Sequence, residues 1–155
     1  MFFIFDRMKI EKYQIQAGEK LEVFEFVSLG IRGKITKIVQ FTPTNYKDLY
    51  NLGFGDKKGK NGLIDDTIVS NNGDSEKVLA TVVSILFVFL ENNKKAMVYV
   101  SGSTESRTRL YRMGISKYFS EVKDNFDIFG ELESGWEYFN TNTDYEAFII
   151  RKKRK

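Results

Sequence analysis

The 155-residue sequence contains no cysteine and no histidine, and it contains a single proline. Without cysteine the chain can form neither disulfides nor thiolate metal sites, and without histidine it lacks the usual general base and metal ligand. Any catalysis must therefore use Tyr, Asp, Glu, Lys, Ser or the ligand itself. The acidic residues Asp65, Asp66 and Asp74 match no calcium-loop spacing, so no metal cofactor is expected.

Long hydrophobic segments are also missing. The apolar run Val78 to Leu90 has 13 residues, which is too short to span a bilayer and favours a buried helix. Residues 1–5 are apolar, but Asp6 and Arg7 follow at once and no small-residue cleavage site is present, so a signal peptide is not indicated. We therefore expect a cytoplasmic protein without a membrane span, with Met8 as an alternative start.

The basic residues are concentrated at the end of the chain. Lysine and arginine total 24 against 21 acidic residues, a formal charge of +3, yet residues 151–155 are all basic and the remainder is slightly acidic. The length and the 42% hydrophobic content suit one core. We predict a single globular domain over residues 1–150 and a basic tail, Arg151 to Lys155. Such a tail can bind nucleic acid or an anionic membrane surface, but is more often a solubilising end.

The first half of the chain shows the period of β-strands. The side chains of residues 21–28, 31–41 and 46–55 divide between two faces with a period of two, and Gly30 and Gly33 predict a hairpin between the first two of these strands. Residues 63–69 predict a further short strand. A plausible strand also begins at Met8.

The second half alternates helices and strands. Helices are predicted from Glu76 to Glu91, with Asp74 or Ser75 as N-cap, and from Glu105 to about Met113, with Ser103 or Thr104 as N-cap. Gly114 is a candidate C′ residue of the second helix unless Ile115, Tyr118 and Phe119 prolong it. Strands are predicted over residues 97–101, 126–132 and 145–150. The fold class is therefore α+β, with a mainly antiparallel mixed sheet and two principal helices in the order strands, helix, strand, helix, two strands.

The segment from Met97 to Gly114 carries most of the functional information. It runs from a short strand through a Gly-Ser-Thr turn into a helix with three arginines near its start. Backbone N–H groups at a helix N-terminus attract anions, and guanidinium groups pair with phosphate. We expect a phosphate-bearing small molecule, or the backbone of RNA, to bind the candidate residues Ser103, Thr104, Arg107, Arg109 and Arg112. The alternative is that these arginines only solvate the helix.

A second candidate anion site precedes the first helix. The backbone amides of Asn71, Asn72 and Gly73 could hold a phosphate, although Asp74 would itself satisfy the helix dipole and favours a plain turn with an N-cap. Tyr111 is a candidate general acid or a core residue.

Four aromatic residues near the end of the chain present another choice. They could stack bases on an exposed sheet face or pack in the core, and they are Trp136, Tyr138, Phe139 and Tyr145.

The order of elements resembles the core of the GNAT acyltransferase fold. In that family a loop of pattern Gln/Arg-x-x-Gly-x-Gly/Ala binds the pyrophosphate of coenzyme A, and residues 70–75 stand in the matching place, where Gly73 fits the pattern. The string from Leu110 to Ile115 resembles the family's later tyrosine-glycine segment. The resemblance implies a fold that binds acetyl-CoA or another acyl-CoA and transfers the acyl group to an amine, with Tyr111 protonating the departing thiolate. The turn at residues 17–19 stands where the family has two helices.

The strings SNNGDSEKVLATV and GSTESRTRLY are also similar to a family of uncharacterised bacterial proteins. Two alternatives to an enzyme remain open. One is a nucleic-acid-binding module that uses Arg107, Arg109, Arg112 and the basic tail, and the other is a protein-interaction domain.

Overall fold

The computed structural model describes residues 12–17, 22–58, 63–65, 72–102 and 104–154. These residues form an α+β fold, which confirms the predicted class. The elements are β1 (Gln16–Ala17), β2 (Val23–Gly30), β3 (Gly33–Pro43), β4 (Leu49–Lys58), β5 (Leu63–Asp65), α1 (Ser75–Asn92), β6 (Met97–Val100), α2 (Glu105–Val122), β7 (Phe126–Leu132), β8 (Gly135–Tyr138) and β9 (Ala147–Lys152).

All the strands belong to one mixed sheet of order β1-β2-β3-β4-β6-β9-β7-β8, with β5 paired to β4. Only β4 and β6 run parallel among the described strand pairs, so the sheet is mainly antiparallel as predicted. On the side of β4 opposite β3, β6 pairs with Leu49–Asn51 and β5 pairs with Asp56–Lys58. Within the described chain, residues 52–55 of β4 therefore have a strand partner on the β3 side alone.

The β2–β3 hairpin forms where the two glycines predict it. Gly30 and Gly33 face each other across the turn, and Gly33 has a φ of 85°, a backbone conformation that glycine adopts without steric cost. A side chain at Gly30 would collide with the backbone carbonyl of Asn72, since a Cβ atom there would lie 1.8 Å from that oxygen. The hairpin is therefore pressed against the chain that enters α1.

Both helices pack on the same face of the sheet. Phe89 of α1 stacks on Phe41 of β3 with ring centroids 4.0 Å apart, and the α1 residue Phe87 contacts Phe126 of β7 at 4.5 Å. The predicted apolar helix is confirmed, and its extensive burial explains why apolar residues occur nearly all round it. In the described part of the chain, no helix is both long and apolar enough to cross a membrane.

Helix α2 is longer than its arginine-rich start indicates. It continues to Val122 with Ile115 and Tyr118 buried, so the predicted end near Met113 is wrong, the longer alternative is right and Gly114 is not a C′ residue. A Cβ atom at Gly114 would meet the Val83 side chain at 3.4 Å. Gly114 thus lies where the two helices pack closely.

The C-terminal strands differ in part from the sequence prediction. β7 has its predicted bounds, whereas β8 was predicted as a connecting segment. β9 extends through Arg151 and Lys152, which the sequence assigned to the tail. Arg151 Nε lies 3.1 Å from Asp127 Oδ2, and Lys152 Nζ lies 2.6 Å from Glu91 Oε1. These two basic residues therefore belong to the folded sheet.

Candidate functional site

A crevice opens where the parallel strands β4 and β6 separate. The chain passes from β4 through β5 to α1 and from β6 to α2, so both helices follow the carboxyl side of the parallel pair, where ligands bind in open α/β sheets. The space holds a cavity of about 230 Å³. We call it the crevice, and its walls are Lys37, Phe54, Gly55, Asp56, Asn72, Asp74, Ser75, Val78, Leu79, Arg107 and Leu110.

Arg107 lies in this crevice rather than on the surface of α2. Its side chain is directed toward β4, where Nη1 donates a hydrogen bond of 2.5 Å to the Phe54 carbonyl oxygen and the guanidinium carbon lies 5.5 Å from the Phe54 ring. The residue is only 6% exposed. No described carboxylate lies within ion-pair distance of Arg107. Among the described residues, the guanidinium therefore has no ion-pair partner. Its side chain lines the cavity and has further N–H donors.

A buried ion pair forms the opposite wall. Lys37 of β3 and Asp56 of β4 are register partners, and Lys37 Nζ lies 2.5 Å from Asp56 Oδ1. The sequence places Lys37 on the apolar side of its strand, between Ile35 and Val39. That position is the signal by which a buried lysine could have been predicted. Because the two charges neutralise each other, this pair contributes little net charge to the crevice.

Asn72 binds the β2–β3 hairpin. Its Nδ2 donates to Ser28 Oγ at 3.1 Å and to the Gly33 carbonyl at 2.9 Å, and its Oδ1 accepts from the Arg32 amide at 2.6 Å. The side chain has little capacity left for a ligand. The predicted phosphate contact rests on backbone amides near Gly73, which is exposed with a φ of 77°. Asn71 lies outside the described residues.

Asp74 takes the N-cap position of α1, but its side chain caps nothing there. Its Oδ2 accepts hydrogen bonds of 2.5 Å from the Tyr13 and Ser28 hydroxyls. Burial, and then the hydrogen bond to this carboxylate, raises the pKa of Tyr13 above its usual value. The network connects an N-terminal segment, a hairpin and the helix start. The two hydroxyl donors also partly offset the negative charge of Asp74.

The start of α2 is a compact cap. Thr104 is the N-cap, as predicted, and its Oγ1 accepts from the Arg107 amide at 3.2 Å. Thr108 Oγ1 accepts from the Gly102 amide at 2.9 Å. A Cβ atom at Gly102 would lie 2.3 Å from the Thr108 nitrogen, so glycine is required for this approach. Ser103, the other candidate cap, lies outside the described residues.

The three arginines of α2 occupy two different places. Arg109 and Arg112 line an open cleft of about 700 Å³ with Thr104, and Arg112 forms an ion pair with Asp144 across it. Arg107 belongs to the crevice. The structure therefore brings Arg107 together with Asn72 and separates it from the other two arginines.

The remaining candidate residues lie in the hydrophobic core or on the opposite face of the sheet. Tyr111 is 6% exposed and joins the hydrophobic core one helical turn after Arg107. Phe139 and Tyr145 are also buried. Trp136 and Tyr138 lie on the sheet face opposite the helices, where Trp136 contacts the Tyr99 ring at 6.2 Å. The four aromatic residues considered for base stacking are therefore divided between core and surface.

The chain was compared with known protein families, curated proteins and solved structures. Residues 9–153 match a family described as "Family of unknown function (DUF6934)". No curated protein and no solved structure gives a significant match. Since the match covers nearly the whole sequence, the chain belongs to this family, in agreement with its resemblance to uncharacterised proteins.

Proposed function

We propose that this member of the DUF6934 family binds an acyl-coenzyme A in the crevice and transfers its acyl group to an amine. The observation that carries the proposal is the separation of β4 from its parallel neighbour β6, with α1 and α2 both beginning beside the gap. This order of elements is also what the GNAT resemblance implies. The ligand would bind where strand edge, cavity and helix N-termini meet.

The free edge of β4 suits an extended chain that contains amides. Residues 52–55 lack a second strand partner among the residues described, and main-chain groups at such an edge pair with an added extended segment. The pantetheine arm of coenzyme A is a chain of this kind. The arm would lie along β4 past Phe54, and the thioester would lie toward the two helices.

The helix starts suit the phosphates. Asn72 and Gly73 lead into the N-terminus of α1, and a helix N-terminus attracts anions. Asp74 opposes this attraction, but its Oδ2 is engaged by two hydroxyl groups. Thr104, Arg109 and Arg112 surround the neighbouring cleft and could hold a second phosphate-bearing part of the ligand.

Tyr111 would act in the chemical step. The amine lone pair attacks the thioester carbonyl, the C–N bond forms and the C–S bond breaks, and the amine loses its proton to solvent. The departing thiolate takes the phenolic proton of Tyr111, and solvent returns a proton to the phenolate. Tyr111 follows Arg107 by one turn, so both extend from the buried face of α2.

Binding and turnover test this proposal separately. Acetyl-coenzyme A should raise the melting temperature and give a saturable heat in calorimetry, and a panel of amines should reveal release of free thiol. Tyr111→Phe should lower the rate by about 10²-fold or more with little change in affinity, because it removes a proton donor and keeps the ring. Tyr46→Phe is the matched control, since Tyr46 is 74% exposed.

Three results would contradict the proposal. They are no binding of any acyl-coenzyme A, turnover that Tyr111→Phe leaves unchanged, or a thermal shift produced by short RNA alone. The last result would support the nucleic-acid-binding alternative.

A further inference from the structure

The strongest unexplained feature of the molecule is the buried charge of Arg107. The residue is only 6% exposed, and the one described acceptor of its guanidinium is the Phe54 carbonyl. Burying a guanidinium without a carboxylate or another anion is costly, since a backbone carbonyl supplies only a partial negative charge. Arginine is almost never buried in proteins unless an anionic group pairs with it.

The other charges of the crevice already have partners. Lys37 and Asp56 form an ion pair, and the Asp74 carboxylate accepts from two hydroxyl groups. Among the described charged groups of the crevice, Asp74 and Arg107 have no ion-pair partner, and Arg107 is the cation of the two. Its planar fork of N–H groups matches the oxygens of a carboxylate or a phosphate.

We propose that Arg107 is the receptor for an oxyanion of the ligand, either a carboxylate carried by the acyl group or a phosphate of the coenzyme. The proposal rests on the proposed function for the class of ligand, and it adds the group that is recognised. If the acyl group supplies the oxyanion, the preferred donors are thioesters of dicarboxylic acids rather than of acetate.

The shape of the cavity favours a short aliphatic chain that ends in an oxyanion. Val78, Leu79 and Leu110 form an apolar wall beside Arg107. A second cavity of about 250 Å³ continues between α1 and α2 and shares Ser75, Leu79 and Leu110 with the crevice. A methylene chain can therefore lie against the leucines while its charged end meets the guanidinium.

Calorimetric titration of the full chain tests the proposal. The probes are coenzyme A, acetyl-coenzyme A and succinyl-coenzyme A, with succinate and inorganic phosphate as free anions. The wild-type protein should bind succinyl-coenzyme A at least tenfold more tightly than acetyl-coenzyme A. Arg107→Met should abolish this preference and leave the melting temperature of the free protein equal or higher. Arg107→Lys should retain part of the preference, and Arg32→Gln, a change at an exposed arginine, should retain all of it.

Each alternative outcome decides something. Equal affinity for the thioesters, with all coenzyme A compounds weakened at least tenfold in Arg107→Met, would assign the oxyanion to a coenzyme phosphate and support the proposal. Equal affinity with no effect of Arg107→Met would overturn it and leave the proposed function standing. If no coenzyme A compound binds, the proposed function fails. In that case binding of succinate or phosphate that depends on Arg107 would still support an oxyanion receptor, and no binding would overturn it.

Discussion

Replacing Asn72 by alanine should destabilise the fold more than any other loss of a polar side chain near the crevice. The side chain is 1% exposed and makes hydrogen bonds to Ser28, Gly33 and Arg32. Alanine removes these bonds and leaves the Arg32 amide and the Gly33 carbonyl without their partner. A hydrogen bond contributes about 0.5–1.5 kcal/mol net, so the loss of these three bonds should lower the free energy of unfolding by about 2–4 kcal/mol.

For a domain of this size each kcal/mol lowers the melting temperature by about 2–4 °C. Asn72→Ala should therefore melt about 4–16 °C below the wild type, and urea unfolding should show a lower midpoint with an unchanged slope. Asn45→Ala, at an exposed position, is the control and should change stability by less than about 0.5 kcal/mol. If the two variants lose equally little, Asn72 does not fasten the hairpin to α1 and our account of the crevice wall is wrong.

Three further predictions concern buried aromatic side chains. Tyr118→Phe should stabilise the protein by about 1 kcal/mol, because the Tyr118 hydroxyl is buried with no hydrogen-bond partner in the described structure; lower stability in urea would contradict this. Burial raises the pKa of Tyr118 to about 12, and burial also raises the pKa of Tyr13 and Tyr145 above the usual 10.0. Because the unfolded chain loses these protons first, stability should be level below about pH 10 and fall between about pH 10 and 12; a pH titration of the melting temperature that stays level would refute the assignment. Gly130→Ala should lower the free energy of unfolding by about 1–3 kcal/mol, since a Cβ atom would lie 2.3 Å from the Tyr145 ring. Ser134→Ala, at an exposed turn, is the control. Equal unfolding midpoints for the two variants would show that the Tyr145 ring can move aside.

Local patterns were sufficient to predict most of the fold. The glycines of the β2–β3 turn and the apolar run of α1 fix their elements through backbone freedom and burial, which depend on neighbours in sequence. β8 escaped prediction because Gly135–Tyr138 is short and wholly exposed, so it has no buried face to produce an apolar alternation. Gly114 was a candidate helix end because glycine is common at that position. Its place in the fold instead depends on the close packing of α1, which the local sequence does not show.

The candidate site was less accessible to sequence reasoning. An arginine near a helix start is usually exposed, so nothing local distinguishes the buried Arg107 from the exposed Arg109. Asp74 has the sequence of an N-cap, yet its carboxylate binds Tyr13, which lies 61 residues away along the chain. Contacts of this range are set by the sheet order, and the sheet order comes from packing that a strand pattern does not encode.

A map of ligand-induced shifts in the two-dimensional ¹H–¹⁵N NMR spectrum tests whether coenzyme A binds in the crevice. Titration with coenzyme A should shift the amide resonances of Phe54, Gly55, Gly73, Ser75 and Arg107, which line or adjoin the crevice. It should leave Trp136 and Tyr138, on the opposite face of the sheet, unchanged. Shifts confined to the face that carries these two residues, or no shifts at all, would contradict a coenzyme A site between β4 and the two helix starts.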